Sequence, residues 1–164
     1  MKRRRWRRLL LEVLVLAAVV SAVHVYQTRH VARGAAPAFE TGLVDGGPVS
    51  LADYLGRPLL LQFWATWCPV CRLEQGSIDA IAGDHQVLAV ALDDMSAADM
   101  QRWLDARGLT YPVALDADGG LARLYGINGV PASIIVDAEG MIRFVEVGYT
   151  SETGLRLRLW WAGR

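Results

Sequence analysis

A chain of 164 residues has room for one compact domain plus an appendage, and its length gives no reason to expect a second domain. Hydrophobic residues at 53% against 21% charged exclude a disordered chain, and the excess implies that part of the apolar content lies outside a globular core. The formal net charge of zero conceals an asymmetry, since residues 1–33 hold eight basic residues and one acid, Glu12, which makes the front +7 and the remainder −7.

The first eight residues form a basic segment, and behind it Leu9 to Tyr26 (LLLEVLVLAAVVSAVHVY) is an apolar run. Basic cluster followed by apolar run is the pattern of a signal anchor or a signal peptide. About 18 residues make roughly 27 Å of helix, enough to span a bilayer core. Glu12 and His24 lie near its ends, where a polar tip reaches the headgroups cheaply. The expectation is a transmembrane signal anchor with a cytoplasmic N-terminus and an exported remainder. The competing reading is a cleaved signal peptide, for which Ala36-Pro37-Ala38 has the right small residues but lies about a dozen residues beyond the run. With an apolar span directly behind them, the basic residues set topology, and the acidic remainder offers no surface for nucleic acid.

Residues 27–38 (QTRHVARGAAPA) read as a polar, small-residue linker, with the domain boundary near Ala38 and one domain over 39–164. In that domain, Phe39 to Leu55 predicts a hairpin turning at Asp45-Gly46-Gly47-Pro48 and leading to a short helix. Pro58 to Trp64 (PLLLQFW) reads as a buried central strand, Pro69 to Ala82 as a helix, and Gln86 to Leu92 as a second buried strand. Ser96 with Asp99 is a capping-box variant that opens a helix from Ala97 to Arg107, closed by Gly108. Tyr111 to Leu115 is a short strand, and a brief helix follows near Gly120 to Tyr125. Ala132 to Val136 and Met141 to Val147 then form an antiparallel pair around the turn Asp137-Ala138-Glu139-Gly140, and Ser151 to Trp161 is a closing helix. Alternating strands and helices ending in a hairpin and a helix indicate an α/β sandwich with a mixed sheet.

The two cysteines, Cys68 and Cys71, exclude a disulfide-stapled scaffold, and their spacing alone leaves redox chemistry, half a metal site or coincidence open. Cys68 would stand at a helix N-terminus, where unpaired N–H groups and the helix dipole favour a thiolate and lower its pKa below the free value of about 8.5. Cys71, one turn on and more buried, would resolve the mixed disulfide formed with a substrate. Pro69 fits the first turn, where its missing N–H costs nothing. Glu74 shares a helix face with Cys71 and otherwise would be a solvated acid pairing with Arg72 or another base.

The segment Gln62 to Glu74, QFWATWCPVCRLE, resembles the active site of the thioredoxin superfamily. Its FWATWCPxCRxE form is similar to the membrane-tethered, extracytoplasmic branch of TlpA, ResA and cytochrome-c-maturation thioredoxins. Within that branch, the continuation CRLEQGSIDAIAGDHQVLAVAL resembles the ScsD-type proteins linked to suppression of copper sensitivity. The likeness covers about residues 39–161.

The resemblance implies a thioredoxin-like three-layer α/β/α sandwich behind one N-terminal transmembrane helix. It implies a thiol:disulfide oxidoreductase with no cofactor beyond the Cys68–Cys71 disulfide and no metal, acting on protein thiols or disulfides. A reductase recharged by a membrane electron donor, held in the inner membrane with its domain in the periplasm, is the expected form. Glu74 is implied to assist proton transfer, a task suited to a carboxyl raised by partial burial, all the more because Gln62, where thioredoxins proper keep a buried acid, does not titrate. Pro131 is implied to be the cis-proline facing the cysteines, with the Val130 backbone beside it pairing with an extended substrate. Trp67 is a candidate apolar docking surface, Trp64 a core residue. One departure is Gly76, where the family usually has a helix-kinking proline. A function of another class is a Cu(I)-binding module using the two cysteines with His85 or a methionine, a reading weakened by about 20 Å of helix between Cys71 and His85.

Overall fold

The structure is a computed structural model that describes residues 2–164, with side chains at residue 6 and from residue 10 onward. The basic side chains of the N-terminal segment therefore lie outside the described residues. The chain divides into two compact units, one ending at His30 and the other running from Val31 to Arg164.

The first unit is a single helix, α1 (Lys2–Thr28). No proline or glycine interrupts it, so every interior backbone group finds its partner four residues away. Its stretch Leu10–Thr28 has a mean hydropathy of 1.9, and every residue of it before Thr28 is exposed. A helix that is apolar all round and exposed all round matches a hydrocarbon solvent, and 19 residues rise about 28 Å. The stretch is long and apolar enough to cross a membrane.

The second unit begins with β1 (Gly34–Ala35), the hairpin of β2 (Glu40–Gly42) and β3 (Pro48–Ser50), and a 3₁₀ turn at Leu51–Tyr54. Gly46 and Gly47 of the hairpin both have φ near +100°, a conformation open to glycine at little cost. There follow β4 (Leu59–Trp64), α2 (Pro69–Ala82), β5 (Gln86–Ala91), α3 (Ala97–Asp105), β6 (Val113–Leu115), α4 (Gly120–Tyr125), β7 (Ala132–Val136), β8 (Met141–Val147) and α5 (Glu152–Ala162). The main sheet has the order β1-β8-β7-β4-β5-β6. It is mixed, because β4, β5 and β6 run parallel while β7 lies antiparallel to β4 and β8 antiparallel to β7.

Strand alternation divides the core in two. Leu60 and Trp64 of β4 join Ile78 and Ile81 of α2, Met100 and Leu104 of α3, and Leu155 and Leu159 of α5 on one face. Leu59, Leu61 and Phe63 point the other way, against Phe39, Leu51, Ala122 and Tyr125. The expected three-layer thioredoxin-like sandwich is thus the observed one. All six residues of β4 are buried, as befits a strand paired on both edges and covered on both faces.

Two boundaries differ from the sequence reading. The expected linker over 27–38 is not a free tether: α1 continues to Thr28, Val31 is buried, and Gly34 and Ala35 pair with Ile142 and Met141 on the edge of β8. Backbone groups alone make this pairing, so small residues suffice. Helix α3 ends at Asp105 rather than Arg107, because the N–H of Leu109 turns back to the carbonyl of Leu104 around Gly108 at φ 63°.

Candidate active site

Strand β4 delivers the chain to the C-terminal edge of the sheet, and the next four residues carry it into α2. The loop is pinned from β5's end: buried Asp93 accepts from the Thr66 N–H at 2.9 Å and from its hydroxyl at 2.5 Å. Arg72 reaches back from α2 to donate to the Thr66 carbonyl at 2.9 Å. Cys68 is thereby held as the N-cap of α2, with Pro69 at the first helical position.

Cys68 and Cys71 are joined in a disulfide, their Cα atoms 5.3 Å apart. The Cys71 N–H donates to Cys68 Sγ at 3.1 Å, so the sulfur occupies the cap position that an oxygen fills in most helices. In the dithiol form the same N–H and the helix dipole stabilise negative charge on that sulfur. Across from it stands the loop before β7, where the Val130–Pro131 bond is cis and the Val130 carbonyl oxygen lies 3.7 Å from Cys68 Sγ. The Pro131 carbonyl is spoken for, accepting from Gly148 N–H at 2.8 Å. Trp67 is 65% exposed beside the nucleophile, with Val70 and Leu73 also exposed on the first turns of α2. Trp64 is core, its ring packed 5.3 Å from Trp103.

Beneath Cys71 the helix carries Glu74, 1% exposed. It pairs with no cation among the described residues, and Arg72 is occupied at Thr66. One carboxyl oxygen accepts from Gln62 Nε2 at 3.3 Å and the other from the Thr150 N–H. Burial pushes its pKa from the ordinary 4.5 up to about 7, while the Thr150 and Gln62 donors pull it back. Gln62 in turn accepts from the Ser133 hydroxyl at 2.5 Å, across the β4–β7 register in which the two residues are direct partners.

All six sequence-derived site residues therefore fall in one region: Cys68, Cys71 and Glu74 on α2, Trp67 at its approach, and Val130 and Pro131 on the facing loop. His85 does not join them, lying half-buried beyond the opposite end of α2. Sequence reasoning missed the partners of Glu74 and the Asp93 anchor. Their signal was a polar residue inside an otherwise apolar strand: Gln62 in LLLQFW and Ser133 in ASIIV each needed a buried partner.

A model of the AhpC/TSA family matches residues 32–145 of this chain. The chain belongs to that family. Thiol-disulfide oxidoreductase ResA of Halalkalibacterium halodurans is 26% identical over 161 residues, covering 92% of this chain and 90% of its own. Thiol:disulfide interchange protein DsbE of Escherichia coli K12 is 31% identical over 163 residues, covering 87% of this chain and 86% of its own. Among solved structures, a thioredoxin-family thiol:disulfide interchange protein from Chlorobium tepidum superposes with a TM-score of 0.68 at 28% identity, over 80% of this chain and 97% of that one. With these relatives and this disulfide, the family member described here is a thiol:disulfide oxidoreductase of ResA/DsbE type.

Proposed function

We propose that the protein is a membrane-anchored reductase of protein disulfides, with α1 held in the inner membrane, the α/β domain in the periplasm, and a membrane thiol donor restoring the dithiol. The observation that carries the reading is the placement of the Cys68 sulfur: capped by an N–H at the tip of α2, facing a carbonyl on the opposite loop, and bordered by the exposed Trp67.

The chemistry runs in two displacements. The Cys68 thiolate attacks a substrate disulfide, forming a Cys68–substrate bond and releasing one substrate sulfur as thiolate. Cys71 gives its proton to the Glu74 carboxylate and attacks Cys68 Sγ, which expels the second substrate sulfur and closes the Cys68–Cys71 disulfide. The substrate gains two electrons and the protein loses two. Donor thiols then run the same exchange backwards on the enzyme. An extended substrate lies beside Val130 and Pro131, its backbone within reach of the Val130 carbonyl, while Trp67 supplies apolar contact.

The test is a Cys71→Ser chain expressed in membranes, together with the redox state of the unaltered chain. Mixed disulfides with extracytoplasmic proteins, released by dithiothreitol, and a mainly dithiol pool at steady state are expected. A mainly oxidised pool would reverse the direction, and an absence of mixed disulfides would remove the reading.

A further inference from the structure

Glu74 sits in an array that spans the sheet. Gln62 on β4 pairs in register with Ser133 on β7, and Ser133 with Glu146 on β8, so the three side chains stand in a row on the face covered by α2 and α5. Gln62 and Ser133 are both buried, and neither lies in the surface that meets a substrate.

The order of donors along this row is fixed. A glutamine amide presents a carbonyl at one end and an NH2 at the other, and nothing in its shape says which end faces Glu74. The ionised Glu74 carboxylate only accepts and so takes the Nε2 end at 3.3 Å, and the Ser133 hydroxyl, which could serve as donor or acceptor, donates to Gln62 Oε1 at 2.5 Å and holds the amide in that order. A carboxylate gains from that N–H; a carbonyl in its place would repel it and would accept instead from a protonated carboxyl.

Among the described residues no charge competes for this role. Glu146 on β8 is paired with Arg158 of α5 at 2.6 Å, and Arg156 with Glu152 at 2.8 Å and with Asp84 at 2.7 Å. On α2 itself Asp79 accepts from Thr110, and Arg72 donates to Thr66. Strand β5 puts Ala89 opposite Gln62. Neutral dipoles, the Thr150 N–H and the Gln62 amide, are what Glu74 meets.

We propose that Ser133 and Gln62 are positioning residues of the redox reaction: the Ser133 hydroxyl aims the Gln62 amide so that its NH2 group faces Glu74, and thereby keeps the carboxylate ready to receive the Cys71 proton. The inference rests on Glu74 being that acceptor. It also explains why a polar pair occupies the otherwise apolar strands β4 and β7.

The experiment compares pH profiles of insulin reduction by the full chain in detergent micelles. Glu74→Gln removes the acid limb. Ser133→Ala lets the amide turn its carbonyl to Glu74, and the limb moves up by about one pH unit. Ser133→Thr, which keeps a hydroxyl on a strand position, restores the original limb. If Glu74→Gln removes the limb while Ser133→Ala leaves it in place and only lowers the melting temperature, the positioning role is wrong and the Glu74 reading stands. If Glu74→Gln changes nothing, both fall. Should Ser133→Ala not fold, NMR on the unmodified dithiol chain decides: the Gln62 side-chain NH2 signals shift with the Glu74 carboxyl through one common titration, and NH2 signals that stay still through it overturn the proposal.

Discussion

Two residues separate the two cysteines, yet the surroundings of each have little in common. The rim at Cys68 is made of exposed and backbone groups: Trp67, Val70 and Leu73 outside, the helix N–H beneath the sulfur, the Val130 carbonyl across from it. The floor, one turn along α2 from Cys71, is made of buried side chains: Glu74, Gln62 bonded to it and Ser133 bonded to Gln62, with the Thr150 N–H on the other oxygen of Glu74. Charge at the rim is managed by fixed backbone dipoles, the capping N–H and the end of α2, around a sulfur whose residue is itself only 5% exposed. On the floor the same task falls to a titratable group whose burial is opposed by neutral donors. The difference separates attack from proton traffic within one helical turn.

Removing either sulfur breaks that division most completely. Cys68→Ser takes insulin reduction to the uncatalysed background, because no other thiol remains at the rim. Cys71→Ser leaves the attack intact and stops the resolution, so a non-reducing gel shows a covalent complex that accumulates with time.

Next in size is the penalty stored in the floor. Glu74 holds its proton up to about pH 7 in the folded chain but only to its ordinary 4.5 when unfolded. The folded state therefore binds the extra proton between those values, so its contribution to stability is complete below pH 4.5 and is lost as pH rises through 7. The loss at pH 8 is on the order of 3 kcal/mol. Chemical denaturation in micelles at pH 5 and pH 8 shows this slope in the native chain. Glu74→Gln flattens it and leaves the variant the more stable of the two at pH 8. An equal pH slope in both would mean that the carboxyl is not ionising in the fold.

Trp67→Ala tests the rim with a smaller effect. An exposed indole adds nothing to the core but offers contact area to a partner, so kcat/KM for a protein disulfide falls roughly tenfold. Reduction of a small disulfide, which does not span from Cys68 to Trp67, keeps its rate, and so does the thermal midpoint. An equal loss on both substrates would move Trp67 from docking to shielding of the sulfurs.

The rim was readable in the sequence, whereas of the floor only Glu74 was, and not the partners that hold it. Helix α2 begins and ends where its residues predicted, since Pro69 and the Cys68 cap are local signals. The Val130–Pro131 loop was placed by resemblance, and the structure sets it beside Cys68. By contrast, the partnership of Gln62 with Ser133 spans 71 positions and depends on the antiparallel register of β4 and β7, which no local pattern states. The edge strand β1 escaped for a related reason: Gly34 and Ala35 add only backbone hydrogen bonds to β8 and carry no apolar alternation.

The smallest effect bears on how α2 connects rim to floor. Gly76 stands five positions after Cys71, where the family usually bends its helix with proline, yet α2 runs unbroken from Pro69 to Ala82. Its φ lies in the ordinary negative range, the site is exposed, and a Cβ built there meets nothing within 4 Å. No close approach and no left-handed backbone requires glycine, which leaves only its entropic cost. Gly76→Ala therefore raises stability by about 0.5–1 kcal/mol through the unfolded chain. Insulin reduction and its pH limb stay unchanged, because Glu74 lies two residues before the site and already has helical neighbours on both sides. A gain in stability accompanied by a displaced limb would show that α2 flexes at Gly76 during exchange, and that the floor follows the rim through this residue.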